Sequence, residues 1–290
     1  MLKIWGRANS INVQKVLWCC GELGLGNDRI DAGSEFGVTR TPEYRVLNPN
    51  GLVPTIEDGD FQLWESNVIV RYLAQKSEHS QLYPADIRTR FDAERWMDWQ
   101  ATVFWPALRP LFIELIRTPP ANRDATVISR AETPSLAAAQ ILDAHLSDRT
   151  FLAGESFSVG DIPAATTVHR WYALDIHHPE LPNLHRWYDL IQPRRPFQEV
   201  VIDALELTRL FPSSDVAVDI GRAVDGNNDV IVGLDRMQAK GRSCEYQIAR
   251  LQDFAKAIKI VPQPVEGLGR AARHGPQGAG IDGRFIDGHR

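Results

Sequence analysis

Glu65 and Ser66 stand where a short apolar run, Phe61–Trp64, gives way to Val68, Ile69, Tyr72 and Leu73 at helical spacing. A helix start carries free N–H groups that bind carboxylates, and a serine hydroxyl there adds a donor. A little earlier, Val53-Pro54 follows the turn-rich Asn48-Pro49-Asn50-Gly51. An X-Pro bond entering a strand can be cis, which exposes backbone groups at a bend. Residues 54–57 and 61–64 are short apolar runs joined around Asp58-Gly59, a strong hairpin signal. An extended backbone edge beside a carboxylate socket suits a small, extended, peptide-like acid.

These groups need a scaffold, and the first 76 residues spell one. Leu2–Trp5 reads as a strand, and Gly6 to Asn12 as a polar turn. Val13, Val16, Leu17, Cys20 and Leu23 give a helix with one apolar stripe, ended by Gly24 and Gly26. Residues 29–31 read as a second strand, followed by a loose connection through Gly37 and a helical turn at 41–47. The order is strand, helix, strand, helix, strand, strand, helix. That order fits an α/β, mixed-sheet thioredoxin-like domain.

The run Asn48-Pro49-Asn50-Gly51-Leu52-Val53-Pro54, then a hairpin, then Glu65-Ser66-Asn67-Val68-Ile69-Val70-Arg71-Tyr72-Leu73, strongly resembles the glutathione-binding half of cytosolic glutathione S-transferases. The resemblance covers about residues 1–207. It implies that Val53, beside a cis-Pro54, pairs its backbone with the cysteinyl part of glutathione. It also implies that Glu65 and Ser66 hold the γ-glutamyl carboxylate. Many relatives carry Lys or Arg before the Val-Pro to reach the glycine carboxylate, and here that position is Leu52. Backbone groups, Asn50, Arg40 or Lys15 are the substitutes that the sequence offers.

A transferase of this kind must hold a thiol as thiolate near neutral pH, because the thiolate is the nucleophile. A hydroxyl aimed at the sulfur and the positive end of a helix both favour the anion. Ser10 stands before the first helix, at the junction where serine-type relatives (theta, delta and phi) keep their catalytic serine. The resemblance therefore assigns Ser10 as thiolate donor, with Asn12 as its rival and Asn9 a weaker option. A serine there is also an ordinary N-cap. Cys19 and Cys20 lie about two turns further along at ~1.5 Å per residue and cannot reach the thiol site.

Beyond a linker at 77–87 the composition turns helical, and an all-α bundle is expected over 88–207. A long helix from 88 to 116 should kink or split at Pro106 and Pro110. Another runs over 136–146. Ser158 and Asp161 form a capping-box pair, with Phe157 and Ile162 as a hydrophobic staple; the cap is structural and worth ~1 kcal/mol. Helices at 184–191 and 197–207 close the domain. Trp99, Phe104, Trp105, Arg109 and Trp171 are the expected walls for the electrophile, and Arg109 is the one costly to bury alone. It would meet a polar group of the second substrate or pair with Glu114. The histidines His169, His177 and His178 show no metal spacing, and no metal is expected.

A formal charge of −5 argues against nucleic acid as the main partner, and no apolar run approaches the ~20 residues of a membrane span. Three cysteines, two of them adjacent, make no disulfide framework, and Met1-Leu2-Lys3 opens no leader pattern, so a cytoplasmic protein is expected. Residues 216–232 commit to no period, and residues 208–290, glycine-rich toward the end, read as an atypical tail, partly or wholly disordered. The expected function is transfer of glutathione to a hydrophobic electrophilic small molecule by a homodimer. A glutathione-dependent isomerase, dehalogenase or peroxidase on the same scaffold, or a non-catalytic glutathione-binding module, are the alternatives.

Overall fold

The computed structural model describes residues 1–77 and 81–202, and the backbone of 216–224 and 230–239. The order read from the first 76 residues is present: β1 Leu2–Trp5, α1 Ile11–Leu23, β2 Asn27–Ile30, α2 Pro42–Leu47, β3 Thr55–Asp58, β4 Phe61–Trp64 and α3 Ser66–Lys76. The strands form one mixed sheet in the order β2-β1-β3-β4. β1 runs parallel to β2, with Ile4 opposite Arg29, and antiparallel to β3, with Ile4 opposite Ile56. The β3–β4 hairpin turns at Gly59, whose φ of 67° favours glycine.

Helix α1 differs from the one-stripe reading. Gln14, Lys15 and Trp18 are as buried as Val13, Val16 and Cys20. The cause is two-sided cover. One face packs on α3, where Cys19 Sγ lies 3.8 Å from the Val70 carbonyl. On the other, Trp18 packs at a tilt against Phe157 and Phe197, with centroids 5.7 and 4.7 Å away. Gly21 permits the closest approach, since a Cβ there would stand 2.6 Å from Pro196 Cβ. The Arg194 guanidinium grips Glu22 with Nε 2.8 Å from Oε1 and Nη2 2.6 Å from Oε2, tying the end of α1 to residues preceding Phe197.

The long helix expected over 88–116 is split but unbroken: α4 Ile87–Trp99, a π turn at 100–104, α5 Trp105–Phe112 and a second π turn at 113–117. Both prolines lie in α5, Pro106 in its first turn, where proline is best tolerated, and Pro110 inside it. Helix α6, Ala125–His145, begins eleven residues before the expected start. Pro134 sits on its exposed face, where the carbonyl it leaves without a donor, that of Arg130, lies at a solvent-exposed residue. The Asp124 carboxylate caps it, accepting from Thr126 and Val127 N–H.

Helices α7 Asp161–Tyr172, α8 Pro182–Ile191 and the turn α9 Arg195–Phe197, continued as a π turn to Ile202, complete the helical part. The Ser158–Asp161 pair is only half a capping box. Asp161 reaches back to Ser158 N–H and Oγ, but Ser158 Oγ accepts from Gly160 N–H rather than from Asp161. The carboxylate also accepts from Leu152 N–H at 3.0 Å and Trp187 Nε1 at 2.9 Å, so it joins three segments. Phe157 serves Trp18 and Phe151 rather than a local staple alone.

Two strands, β5 Val216–Val224 and β6 Val230–Ala239, pair with each other. No strand was expected there. The signal was the alternation of Val216, Val218 and Ile220 followed by Asp225-Gly226. The rest of the expected tail lies outside the described residues. Among the described residues no helix is long and apolar enough to cross a membrane.

Candidate active site

Three backbone features make up the candidate site. The first is the Val53-Pro54 peptide, which is cis. It is clamped from both ends: Tyr44 Oη donates to the Leu52 carbonyl at 2.7 Å and lies 2.9 Å from Thr55 Oγ1. Asn48 Nδ2 donates to the same two atoms at 2.9 and 3.1 Å. Among the described residues the Val53 N–H and C=O take no partner, which leaves a donor and an acceptor for an extended ligand. The Leu52 side chain projects outward, 63% exposed. Asn50 is exposed and donates its amide to Asn48 Oδ1, so it braces the loop.

The second feature is the start of α3. Glu65 holds φ 73° and ψ 107°, a conformation costing about 1–3 kcal/mol for a residue with a Cβ, and its side chain makes no cap. The first intrahelical donor that reaches back is Ile69 N–H to the Glu65 carbonyl. The N–H groups of Ser66, Asn67 and Val68 therefore remain for an anion, beside the largely buried Ser66 hydroxyl. Asn67 does not share this task, since its Nδ2 donates to the Met97 carbonyl at 2.6 Å.

The third feature is the start of α1. Ser10 occupies the N-cap with φ −80° and ψ 124°, yet its side chain makes no capping hydrogen bond. Its carbonyl accepts from Gln14 N–H and its own N–H donates to the Arg7 carbonyl. The buried hydroxyl is thus left uncommitted at the positive end of a 13-residue helix. Asn12, half-buried in the first turn of the same helix, is the neighbouring amide. Gly6 and Gly33 bring Val53 to this turn: its Cβ lies 3.3 Å from where a Gly6 side chain would begin.

Several sequence-derived positions move. Lys15 is buried and donates to Gln100 Oε1 at 2.8 Å, so it is no carboxylate ligand at the surface. Burial first, and then Arg170, pull its ammonium down to about 7 against the Glu65 charge. Phe104 and Trp171 are fully buried and belong to the core, Trp171 against Tyr172 and His178. Trp99 is half-buried between Trp96 and Phe104. Of the five expected walls, Trp99 and Trp105 are half-buried and Arg109 is exposed, the last two on the helix that also carries Phe112. Arg109 makes no ion pair with Glu114, whose carboxylate accepts from Asp124 N–H. Cys19 and Cys20 are buried, and burial pushes both thiols up, Cys20 to about 12.

One residue was missed altogether. Arg170 on α7 is 2% exposed and donates from Nη2 to the Asn9 carbonyl at 3.1 Å and to Gln14 Oε1 at 2.8 Å. It holds the loop before Ser10 against the helical part. Nothing in its local sequence marks a buried arginine; only the packing of α1 against α7 does.

An uncapped helix start, a free backbone pair and a second, hydroxyl-bearing helix start offer donors and an acceptor to an extended, acidic ligand. Comparison with known proteins gives the family. The N-terminal domain profile of glutathione S-transferases matches residues 9–76, and the C-terminal domain profile matches residues 100–193. The chain is 39% identical over 204 residues to glutathione S-transferase GstB of Escherichia coli, covering 70% of this chain and 98% of that one. It is 30% identical to glutathione S-transferase 3 of Zea mays, covering 69% and 93%. Among solved structures, the theta class glutathione S-transferase of Xanthomonas axonopodis pv. citri with glutathione bound is 44% identical, with a TM-score of 0.68 over 70% of this chain and 98% of that one. The chain belongs to the glutathione S-transferase family.

Proposed function

We propose that this transferase binds glutathione across the three features and adds its sulfur to an electrophilic carbon of a small molecule, with Ser10 as the group that favours the thiolate. The γ-glutamyl carboxylate docks on the α3 start at Ser66 with Glu65 beside it, and the cysteinyl backbone pairs with Val53. The sulfur then lies against Ser10. The observation that carries this reading is the Ser10 hydroxyl, which sits at an N-cap and performs no capping. Each unit by which a thiol pKa falls takes ~1.4 kcal/mol of preference for the anion, and one hydroxyl with one helix end can supply one or two units.

The test is the ultraviolet thiolate absorbance of bound glutathione against pH in the parent, Ser10→Ala and Asn12→Ala. A lowered thiol pKa in the parent that returns toward the free value only in Ser10→Ala supports the reading. Loss only in Asn12→Ala moves the role to that amide. No lowering in a parent that binds glutathione overturns thiolate activation and leaves a binding protein.

A homodimer is part of the same proposal. Phe61, Trp64, Val68 and Phe91 leave apolar area in water on β4, α3 and α4, which a second copy would cover. Light scattering at low micromolar concentration reads the assembly directly.

A further inference from the structure

Beside the Ser10 turn the guanidinium groups of Arg170 and Arg117 lie over aromatic rings of α5, and Arg7 and Arg109 stand near enough for their charges to act on Arg117. Arg170 lies 4.6 Å from the Phe112 ring centroid and 5.7 Å from that of Trp105. Arg117 approaches the same Phe112 ring at 5.7 Å. Arg7, three residues before Ser10, brings Nη1 to 3.2 Å from where a Gly33 side chain would begin, next to both Val53 methyl groups. Arg109, two turns before Arg117, is exposed. None of the four has a carboxylate within ion-pair distance among the described residues.

The charges act on one another. Burial lowers the proton affinity of Arg117 most, and Arg7 and Arg109 lower it further. Arg170 is pulled down to about 9 by burial and then by Arg117 and Arg7. Glu35 is the acid whose charge offsets those of Arg7 and Arg117. Cations crowded in partial burial, on a chain of net charge −5, are costly without an anion to face. Arg170 is spent on Asn9 and Gln14, and its buried Nε takes no partner. Arg7, Arg109 and Arg117 keep donors for a ligand, and guanidinium forks suit a carboxylate.

We infer that the electrophile taken by this enzyme carries an anionic group, a carboxylate on an aromatic or unsaturated frame, bound by Arg7, Arg109 and Arg117 while the half-buried Trp105 lines the frame. This rests on the transferase reading and narrows its second substrate. In the reaction a C–S bond forms between the glutathione thiolate and the electrophilic carbon. With an aryl halide the carbon–halogen bond breaks, the halide leaves with the bonding pair, and the thiol proton has gone to solvent.

The same anion chemistry has a second source, the glycine carboxylate of glutathione itself, and the experiment separates them. The probes are 4-chloro-3-nitrobenzoate and its neutral methyl ester, each with glutathione, with rates normalised to the uncatalysed reaction. The parent is expected to favour the acid by about tenfold or more in kcat/KM, the size of one charge-assisted contact. Arg117→Gln and the exposed Arg109→Gln should each lose about tenfold more on the acid than on the ester, and Arg117→Lys should recover part of it. KM for glutathione, measured with the ester, should stay within about twofold.

A parent that conjugates the ester with no preference for the acid overturns the inference and leaves the transferase reading standing. A loss that appears instead in KM for glutathione assigns the arginines to the glycine carboxylate and equally overturns it. Conjugation of neither probe overturns it too, and the thiolate titration then reports separately on the transferase reading.

Discussion

Lys15 Nζ donates to Gln100 Oε1 at 2.8 Å with both side chains buried, and Gln100 Nε2 passes the chain on to Thr167 Oγ1 at 2.8 Å. One buried ammonium therefore stitches α1 to the first π turn and to α7. Its ammonium is pulled down to about 7 from 10.5, so the folded state releases a proton that the unfolded chain keeps. The unfolded state binds more protons between those two values, and stability contributed by this site must rise with pH across that window. Below about 7 the full cost of burying the cation is present. Comparing urea unfolding of the parent and Lys15→Met from ~7.5 to ~9.5 should show the parent gaining on the variant, by up to ~1.4 kcal/mol per pH unit. A pH-independent difference would place the proton on Lys15 throughout.

Gly21→Ala separates two physical effects of opposite sign. Alanine favours a helix interior over glycine by ~1 kcal/mol. The new Cβ, however, would stand 2.6 Å from Pro196 Cβ, and proline offers no flexible end to yield. Overpacking costs about 1–3 kcal/mol, so the variant should melt several degrees lower. A raised melting temperature would show that α1 and the α9 turn are not held at this spacing.

Asp161→Ala removes one carboxylate from Leu152 N–H, Ser158 N–H and Oγ, and Trp187 Nε1. Burial pushes this carboxyl up while those four donors draw it back. Stranding buried donors costs on the order of 3–5 kcal/mol in total, well above the ~1 kcal/mol of a lone cap. The loss should appear in denaturant midpoint, with KM for glutathione unchanged in the fraction that folds.

Ser66→Ala tests the α3 socket. It takes one hydroxyl from the proposed carboxylate site and leaves the helix N–H groups, so KM for glutathione should rise about five- to tenfold with kcat little altered. Steady-state kinetics at saturating electrophile measures both. A fall in kcat at constant KM would place Ser66 in the chemical step.

Much of the glutathione half was legible because its signals are local. Asp58-Gly59 sets the β3–β4 hairpin, and the Ser66 boundary with Ile69, Tyr72 and Leu73 sets α3 to the residue. Other features depend on what lies across the interface. Lys15 and Gln14 look like surface residues in sequence, and they are buried because α7 and the first π turn cover the face opposite α3. Trp171 and Trp105 are equivalent as letters, but the rotation of α7 sends one into the core while α5 keeps the other at the edge. The early half of α6 was hidden by Pro134, a stop signal that an exposed helix face tolerates. The arginine cluster joins residues from positions 7 to 170, a distance over which no motif extends.

Leu52 lends the loop before Pro54 only its carbonyl, which Tyr44 and Asn48 hold, while its side chain stands in water. The identity of residue 52 is thereby uncoupled from the fold of the loop. Selection can therefore exchange the side chain at position 52, for a cation or any other, without first acquiring a compensating change elsewhere in the fold.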